Sequence, residues 1–181
     1  RNYSAVSSWP FVCHKALEIE SRPIKFPVRE MADRGLITII NRDAISAQDI
    51  SNWFLEQAKT YNIINIACDS YRASLLQSEF KEKGLPLNQV RSGPITHAKV
   101  APLIEQSFAE ETFVFGDNPV MRWYVNNTYI EVDKKGNTTY LKIEPKTRKT
   151  DGFFALIHAL SKDDELEEQN ENFISLDVYT Y

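Results

Sequence analysis

Two aspartates stand where a carboxylate can serve chemistry as well as structure. Asp69 follows the apolar run NIINIAC (62–68), and Asp151 opens the apolar segment DGFFALIHAL (151–160). Hard divalent cations prefer oxygen ligands, and Mg²⁺ is typically held by one or two carboxylates together with phosphate and water. The pair is therefore a candidate metal site. Each residue alone also fits an ordinary role, Asp69 in a turn and Asp151 at a helix N-terminus.

Cationic residues accompany both aspartates. Lys146, Arg148 and Lys149 lead into Asp151, and Arg72 comes three residues after the first aspartate. Such side chains neutralise DNA phosphates, which supplies essentially all sequence-independent affinity of proteins for DNA. We interpret the four cations as candidate phosphate contacts; the alternative for each is a solvated loop.

Other reactive residue types are scarce or badly spaced. Cys13 and Cys68 are far apart and in no metal-ligand spacing, so we expect free thiols in a reducing compartment, with a disulfide as the alternative. His14 and His97 have no ligand spacing either. His158 lies seven residues after the second aspartate, near the same helical face, and we expect it in the core.

Strands and helices alternate in the middle of the chain. Apolar runs predict strands, at 36–40, 62–69 and 87–91. Capping and stop signals predict helices, at 27–35, from 46 or 49 to 58, at 73–84 and within 92–111. Residues 1–15 also resemble strand material. The pattern predicts a mixed α/β sheet with helices on both faces, and functional residues of such sheets gather at the carboxyl ends of strands, where Asp69 falls.

A hairpin is expected at each side of this sheet. Near the C-terminus, KKGN (134–137) predicts a turn and 138–145 its return strand. The preceding segment PVMRWYVNNTYIEVD (119–133) is assigned no helix, and Asp117 and Asn118 before it are interpreted as a turn. Trp123 and Tyr124 are expected to pack in the interior.

Length and charge limit the possible functions. The 181 residues, 43% hydrophobic and 25% charged, suit one domain with a hydrophobic core. The net charge of −4 gives no global attraction to nucleic acid. Six acids fall between Asp163 and Glu171, however, so the rest of the chain is slightly basic. No apolar run approaches the roughly 18 residues that span a bilayer, and no G-x-x-x-x-G-K-[ST] nucleotide loop occurs.

Several segments, in order, resemble the nuclease domain of the large terminase subunit of tailed bacteriophages. They are a strand ending in Asp (NIINIACDSYR), then GDNPVMRWYVNN, then a Gly-Asn hairpin, then KTDGFFALIHAL. The earlier IKFPVREMADRGLITII also fits. The resemblance covers residues 10–161, and we expect a nuclease domain over 1–161 and an acidic linker and tail over 162–181.

The resemblance implies a ribonuclease H-like fold that cuts double-stranded DNA concatemers during genome packaging, using Mg²⁺ or Mn²⁺, with two ions expected. Asp69 resembles the second acidic ligand of the family and Asp151 the last. The family's first ligand, an Asp on the opening strand, has no counterpart here, and the chain is expected to begin after that strand or to omit it.

The same resemblance implies partners and a location. The partners are double-stranded DNA, the small terminase subunit, the portal protein and an ATPase domain of the same polypeptide, without a membrane. The location is the cytoplasm of the infected bacterial host. Two alternatives remain: a non-catalytic module that binds DNA or a portal, and another nuclease such as a resolvase or integrase core.

Overall fold

The computed structural model describes residues 3–71 and 73–164. The helices are α1 (His14–Leu17), α2 (Val28–Asp33), α3 (Ala47–Gln57), α4 (Ala73–Glu82), α5 (Pro94–Ala109), α6 (Pro119–Asn126) and α7 (Asp151–Leu160). The strands are β1 (Ser4–Ala5), β2 (Phe11–Cys13), β3 (Thr38–Ile40), β4 (Ile66–Asp69), β5 (Leu87–Val90), β6 (Phe113–Val114), β7 (Thr128–Val132) and β8 (Thr138–Lys142). The expected mixed α/β class is confirmed. The end of the acidic stretch and the tail lie outside the described residues.

The described strands pair in four two-stranded sheets. Three pairs are parallel: β1 with β6, β2 with β3, and β4 with β5; β7 and β8 are antiparallel. In the β4–β5 pair Ile66 faces Leu87 and Asp69 faces Val90. The strand predicted over 62–69 is shorter than expected: it begins at Ile66, where the pairing with β5 also begins.

One of the two expected hairpins is confirmed. β7 and β8 form it around the predicted turn, where Gly136 has φ +83°. The hairpin expected at the N-terminal side is wrong among the described strands, since β2 pairs in parallel with β3 and Phe11 faces Thr38. Parallel partners need a crossover of about a dozen residues or more, and here α1 and α2 occupy that crossover.

The segment 119–133 is the clearest departure from expectation. Its first half forms α6, with Pro119 at the start, a position where the missing N–H costs nothing. Asn118 is the cap rather than part of a simple turn: its Oδ1 accepts hydrogen bonds from the backbone N–H groups of Val120 and Met121, both at 3.1 Å. The Asn-Pro pair is a helix start signal that the sequence analysis interpreted only as a turn.

The largest apolar core joins α2, α5, α6, α7 and β8. Its buried members include Val100, Ile104, Met121, Phe153 and Ile157, and the last of these has no exposed surface. Because α7 buries this face, its first residue is left at the rim of the core. Among the described helices, none combines the length and apolarity needed to cross a bilayer.

The sequence indicated either Ser46 or Asp49 as the cap of helix α3, and in the structure both take part in one reciprocal cap. The Ser46 hydroxyl accepts from the Asp49 backbone N–H (3.2 Å), and the Asp49 carboxylate accepts from the Ser46 backbone N–H (2.7 Å) and hydroxyl (2.7 Å). Arg42 also pairs with this carboxylate. The Ser46 hydroxyl is the largest cause of an Asp49 pKa below the ordinary 3.8.

Ser46→Ala should lower the free energy of unfolding by about 1 kcal/mol, because the Asp49 backbone N–H loses its acceptor and the Asp49 carboxylate loses the hydroxyl donor. A lowered carboxyl pKa contributes stability above the ordinary pKa, and that stability is lost as pH falls through the folded value. The difference between the two proteins should therefore be full above about pH 4 and shrink below it. Urea unfolding across this range measures it, with the exposed Ser78→Ala in α4 as control; a difference that grows on acidification would contradict the cap.

Candidate active site

Asp69 is the last residue of β4, and its side chain is exposed. The backbone N–H of Tyr71 donates to Asp69 Oδ1 at 3.0 Å, and the N–H of Ser70 donates to the Val90 carbonyl at 2.9 Å. The carboxylate thus closes a turn directly after the strand ladder ends. The turn role and a ligand role are compatible here, because the turn uses one carboxylate oxygen in a solvent-facing position.

Asp151 is the first residue of α7 and is also exposed. Behind it, Phe153 and Ile157 are buried in the main core and fix the helix. The residue before it, Thr150, is fully buried, and within the described residues its hydroxyl has no hydrogen-bond partner. A rigid, buried helix face therefore carries an exposed carboxylate at its positive end.

The two carboxylates lie on elements that pack against each other, β4 and α7. His158 of α7 is close enough to Asp69 for the carboxylate charge to raise the pKa of the imidazole, although burial lowers that pKa by more. Two carboxylates suit a hard divalent cation that completes its shell with phosphate and water. Within residues 3–71 and 73–164, however, no three His, Cys, Asp or Glu side chains form a group able to hold a metal ion.

Two histidines lie inside this region of the core. His158 is 6% exposed, as expected for a core residue, and His97 of α5 is 4% exposed. The Tyr140 backbone N–H donates to His97 Nδ1 at 3.3 Å, so a neutral imidazole carries its proton on Nε2. Burial, and secondarily the nearby His158, lowers the pKa of His97. We therefore assign a neutral imidazole at pH 7.

His97→Asn should flatten the dependence of stability on pH. A lowered histidine pKa means that the unfolded chain takes up a proton that the folded protein refuses, so wild-type stability should fall between pH 7 and pH 5. Asn keeps an acceptor near the Nδ1 position and does not titrate. Denaturant unfolding at several pH values measures this dependence, with His14→Asn as control because His14 is more exposed. If the slope of the unfolding free energy against pH is the same in His97→Asn and in wild type, a group other than His97 is responsible for the pH dependence.

Three of the four predicted cations lie on the segment 144–149, which ion pairs and hydrogen bonds hold in place. We call this segment the tethered loop. Arg148 Nε lies 3.4 Å from Glu144 Oε1, and Lys149 Nζ donates to the Lys146 carbonyl at 3.4 Å. Lys25 Nζ also contacts Glu144, at 2.8 Å, and its backbone N–H donates to the Thr147 carbonyl. Lys146 is exposed, whereas the Arg148 charge is shared with a carboxylate. The fourth predicted cation, Arg72, lies outside the described residues.

Two side chains that the sequence analysis did not assign to the site contact the backbone around Asp151. Asn127 Nδ2 donates to the Lys149 carbonyl at 2.8 Å. The Tyr124 ring lies so close to Gly152 that a Cβ there would be 2.3 Å from a ring carbon. The signal in the sequence was GDNPVMRWYVNN itself, which contains both side chains and carries a helix start.

One protein family matches most of this chain. The family model described as "Terminase large subunit, endonuclease domain" matches residues 5–167. The chain belongs to this family. The resemblance found in the sequence is thereby confirmed. The two exposed carboxylates both lie within the part of the chain that matches the terminase endonuclease domain.

A solved structure, described as the crystal structure of the HK97 bacteriophage large terminase, matches with a TM-score of 0.72 and 18% sequence identity. At that identity the likeness shows the fold alone. The match covers 83% of this chain and 32% of the HK97 chain, so the chain spans about a third of that terminase. The search of curated proteins found no match.

Proposed function

We propose that this chain is a divalent-metal-dependent endonuclease domain that cuts double-stranded viral DNA concatemers during packaging into procapsids. The observation that carries the proposal is the pair of exposed carboxylates, Asp69 and Asp151, on two packed elements of a terminase nuclease domain. The proposed fold in detail is ribonuclease H-like, with these strands and helices as parts of one flanked sheet.

Asp69 and Asp151 would hold Mg²⁺ or Mn²⁺ in this proposal. A pair of bound ions supplies an activated water and a positive charge against the leaving oxygen of the phosphodiester. The chain's own contribution is to fix the carboxylates: the turn at Tyr71 orients one, and the buried face of α7 carries the other. A two-ion site needs acidic ligands beyond this pair.

DNA would approach across the tethered loop. Lys146, Arg148 and Lys149 precede the Asp151 end of α7, so phosphates bound by them would lie beside the proposed metal site. Arg72 is proposed as a further contact from the turn after β4. The partners proposed for the whole protein are the small terminase subunit, the portal and an ATPase domain of the same polypeptide, in the cytoplasm of the infected bacterium.

Asp69→Asn and Asp151→Asn should each abolish plasmid cleavage in Mn²⁺ and in Mg²⁺, because an amide keeps the size of the side chain and removes the charge that binds the ion. Asp117→Asn is the matched control. Its carboxylate is exposed and pairs with Arg34 and Arg122, away from the two ligands. Gel quantification of nicked and linear plasmid gives the rates.

Full activity in either ligand variant would remove that residue from the metal site. An inactive wild-type chain that still binds duplex DNA would instead favour the second candidate, a non-catalytic DNA- or portal-binding module. One observation favours that candidate: the described residues contain no group of three potential metal ligands. Mn²⁺ binding measured by calorimetry would then separate an inactive nuclease, which binds the ion, from a binding module, which does not.

Lys146→Gln should weaken duplex binding equally for all sequences and reduce the slope of log affinity against log salt by about 0.9, as expected for one lost phosphate contact. Lys149→Gln should do the same. Lys59→Gln is the control, since this exposed lysine pairs with Glu56 at the end of α3. Fluorescence anisotropy at several salt concentrations measures the slopes, and slopes equal to that of wild type would assign the loop to solvent.

A further inference from the structure

Helix α6 touches the chain on both sides of Asp151. Asn127, which ends the helix, contacts Lys149, two residues before the aspartate, and Tyr124, one turn earlier, contacts Gly152, the residue after it. A backbone segment held at two points has little freedom to rotate between them. The carboxylate of Asp151 projects from that segment.

Asn127 forms hydrogen bonds through its backbone N–H, its backbone carbonyl and its side chain. The residue is 2% exposed, its N–H donates to the Trp123 carbonyl at 3.1 Å, and its own carbonyl accepts from the Ile143 N–H at 2.9 Å. Its side-chain Nδ2 then donates to the Lys149 carbonyl at 2.8 Å. The backbone bonds hold Asn127 in place, so its side-chain bond to Lys149 helps to fix where the chain enters α7.

The contact made by Tyr124 is steric. A Cβ built on Gly152 would lie 2.3 Å from Cδ2, 2.7 Å from Cε2 and 3.2 Å from Cγ of the ring. The ring is 7% exposed and belongs to the core, so a displacement of the ring would disturb its buried neighbours. Gly152 therefore permits a close approach of the first turn of α7 to α6 that no other residue type permits.

We propose that Tyr124 and Asn127 are positioning residues for Asp151, setting the direction of its carboxylate through Gly152 and Lys149. The role in metal binding rests on the proposed endonuclease function; the positioning of the first turn of α7 does not.

The steric contact predicts an effect of opposite sign to helix propensity. In an unobstructed helix, Gly152→Ala would stabilise, because Ala is the better helix former. Here we expect it to lower the melting temperature and to speed amide hydrogen exchange in peptides covering 149–154 of the metal-free protein. Combining it with Tyr124→Leu, which removes the ring edge, should restore much of the protection.

Asn127→Ala should speed exchange in the same peptides, because the Lys149 carbonyl loses its donor. Asn88→Ala is the matched control: it breaks a 2.7 Å side-chain bond to Asn65, and it should leave peptides 149–154 unchanged. Tyr124→Phe should behave as wild type, since the ring and not the hydroxyl makes the contact. These three measurements need neither metal nor DNA.

Metal dependence separates positioning from a purely structural role. With the variants compared at a temperature where each is folded, Asn127→Ala and Gly152→Ala should raise the Mn²⁺ concentration for half-maximal cleavage about tenfold or more, with the KM for DNA unchanged. Mn²⁺ binding by calorimetry should weaken to match. The Gly152→Ala/Tyr124→Leu pair should recover most of the loss.

The outcomes are distinguishable. Unchanged exchange at 149–154 in both Gly152→Ala and Asn127→Ala would overturn the proposal whatever the enzyme activity. Altered exchange with unaltered Mn²⁺ dependence would overturn it as well, since the carboxylate would then not depend on these contacts. If exchange is altered in the variants but the wild-type protein neither binds Mn²⁺ nor cuts DNA, the proposed function is overturned and only the structural contacts remain.

Discussion

Burial of one face of α7 is the constraint on which the rest of this structure depends. Phe153 and Ile157 enter the core shared by α5, α6 and β8, and Tyr140 of β8 meets the Phe153 ring edge-on with centroids 5.3 Å apart. Removing an apolar side chain of this size from such a core typically costs about 3–5 kcal/mol. This burial leaves a carboxylate at the rim and holds the helix that bears it against β4.

The same core contains polar atoms that the described residues leave without hydrogen-bond partners. They are Nε2 of His97 and His158 and the hydroxyls of Tyr140 and Thr150. Burial raises the pKa of Tyr140 to about 12 and lowers that of both imidazoles, so the polar groups of this core remain uncharged at neutral pH. A buried polar group without a partner costs free energy.

Sequence reasoning succeeded where the signal was local. The helix start at Ser46 or Asp49, the stop of the helix predicted over 73–84 at Gly84, and the hairpin around Gly136 each follow from one or a few residues, and all three appear in the structure. The strand pairing was not predicted correctly where it depends on segments that are distant in the sequence. Nothing local to residues 1–15 says that β1 pairs with β6 and β2 with β3, because such choices are made by distant segments.

The residues of the candidate site show the same difference between local signals and contacts with distant segments. The two aspartates were found because each follows or opens a strong apolar segment. The contacts of Tyr124 and Asn127 were not predicted because they depend on α6, which was not predicted. Its Asn-Pro start was interpreted as a turn, and its aromatic residues also suit a strand. No periodicity of α7 alone could reveal that Gly152 faces a ring from another helix.

The pairing of β1 with β6 also bears on how the chain folds. Ser4 lies beside Phe113, and the Lys25 backbone N–H donates to the Thr147 carbonyl, so early residues contact others more than a hundred positions later. Loop closure over such separations costs entropy before any contact compensates for it, which slows folding. We therefore expect the tethered loop beside Asp151 to take its final shape only after the segments around Lys25 and Thr147 have come together, late in the assembly of the domain.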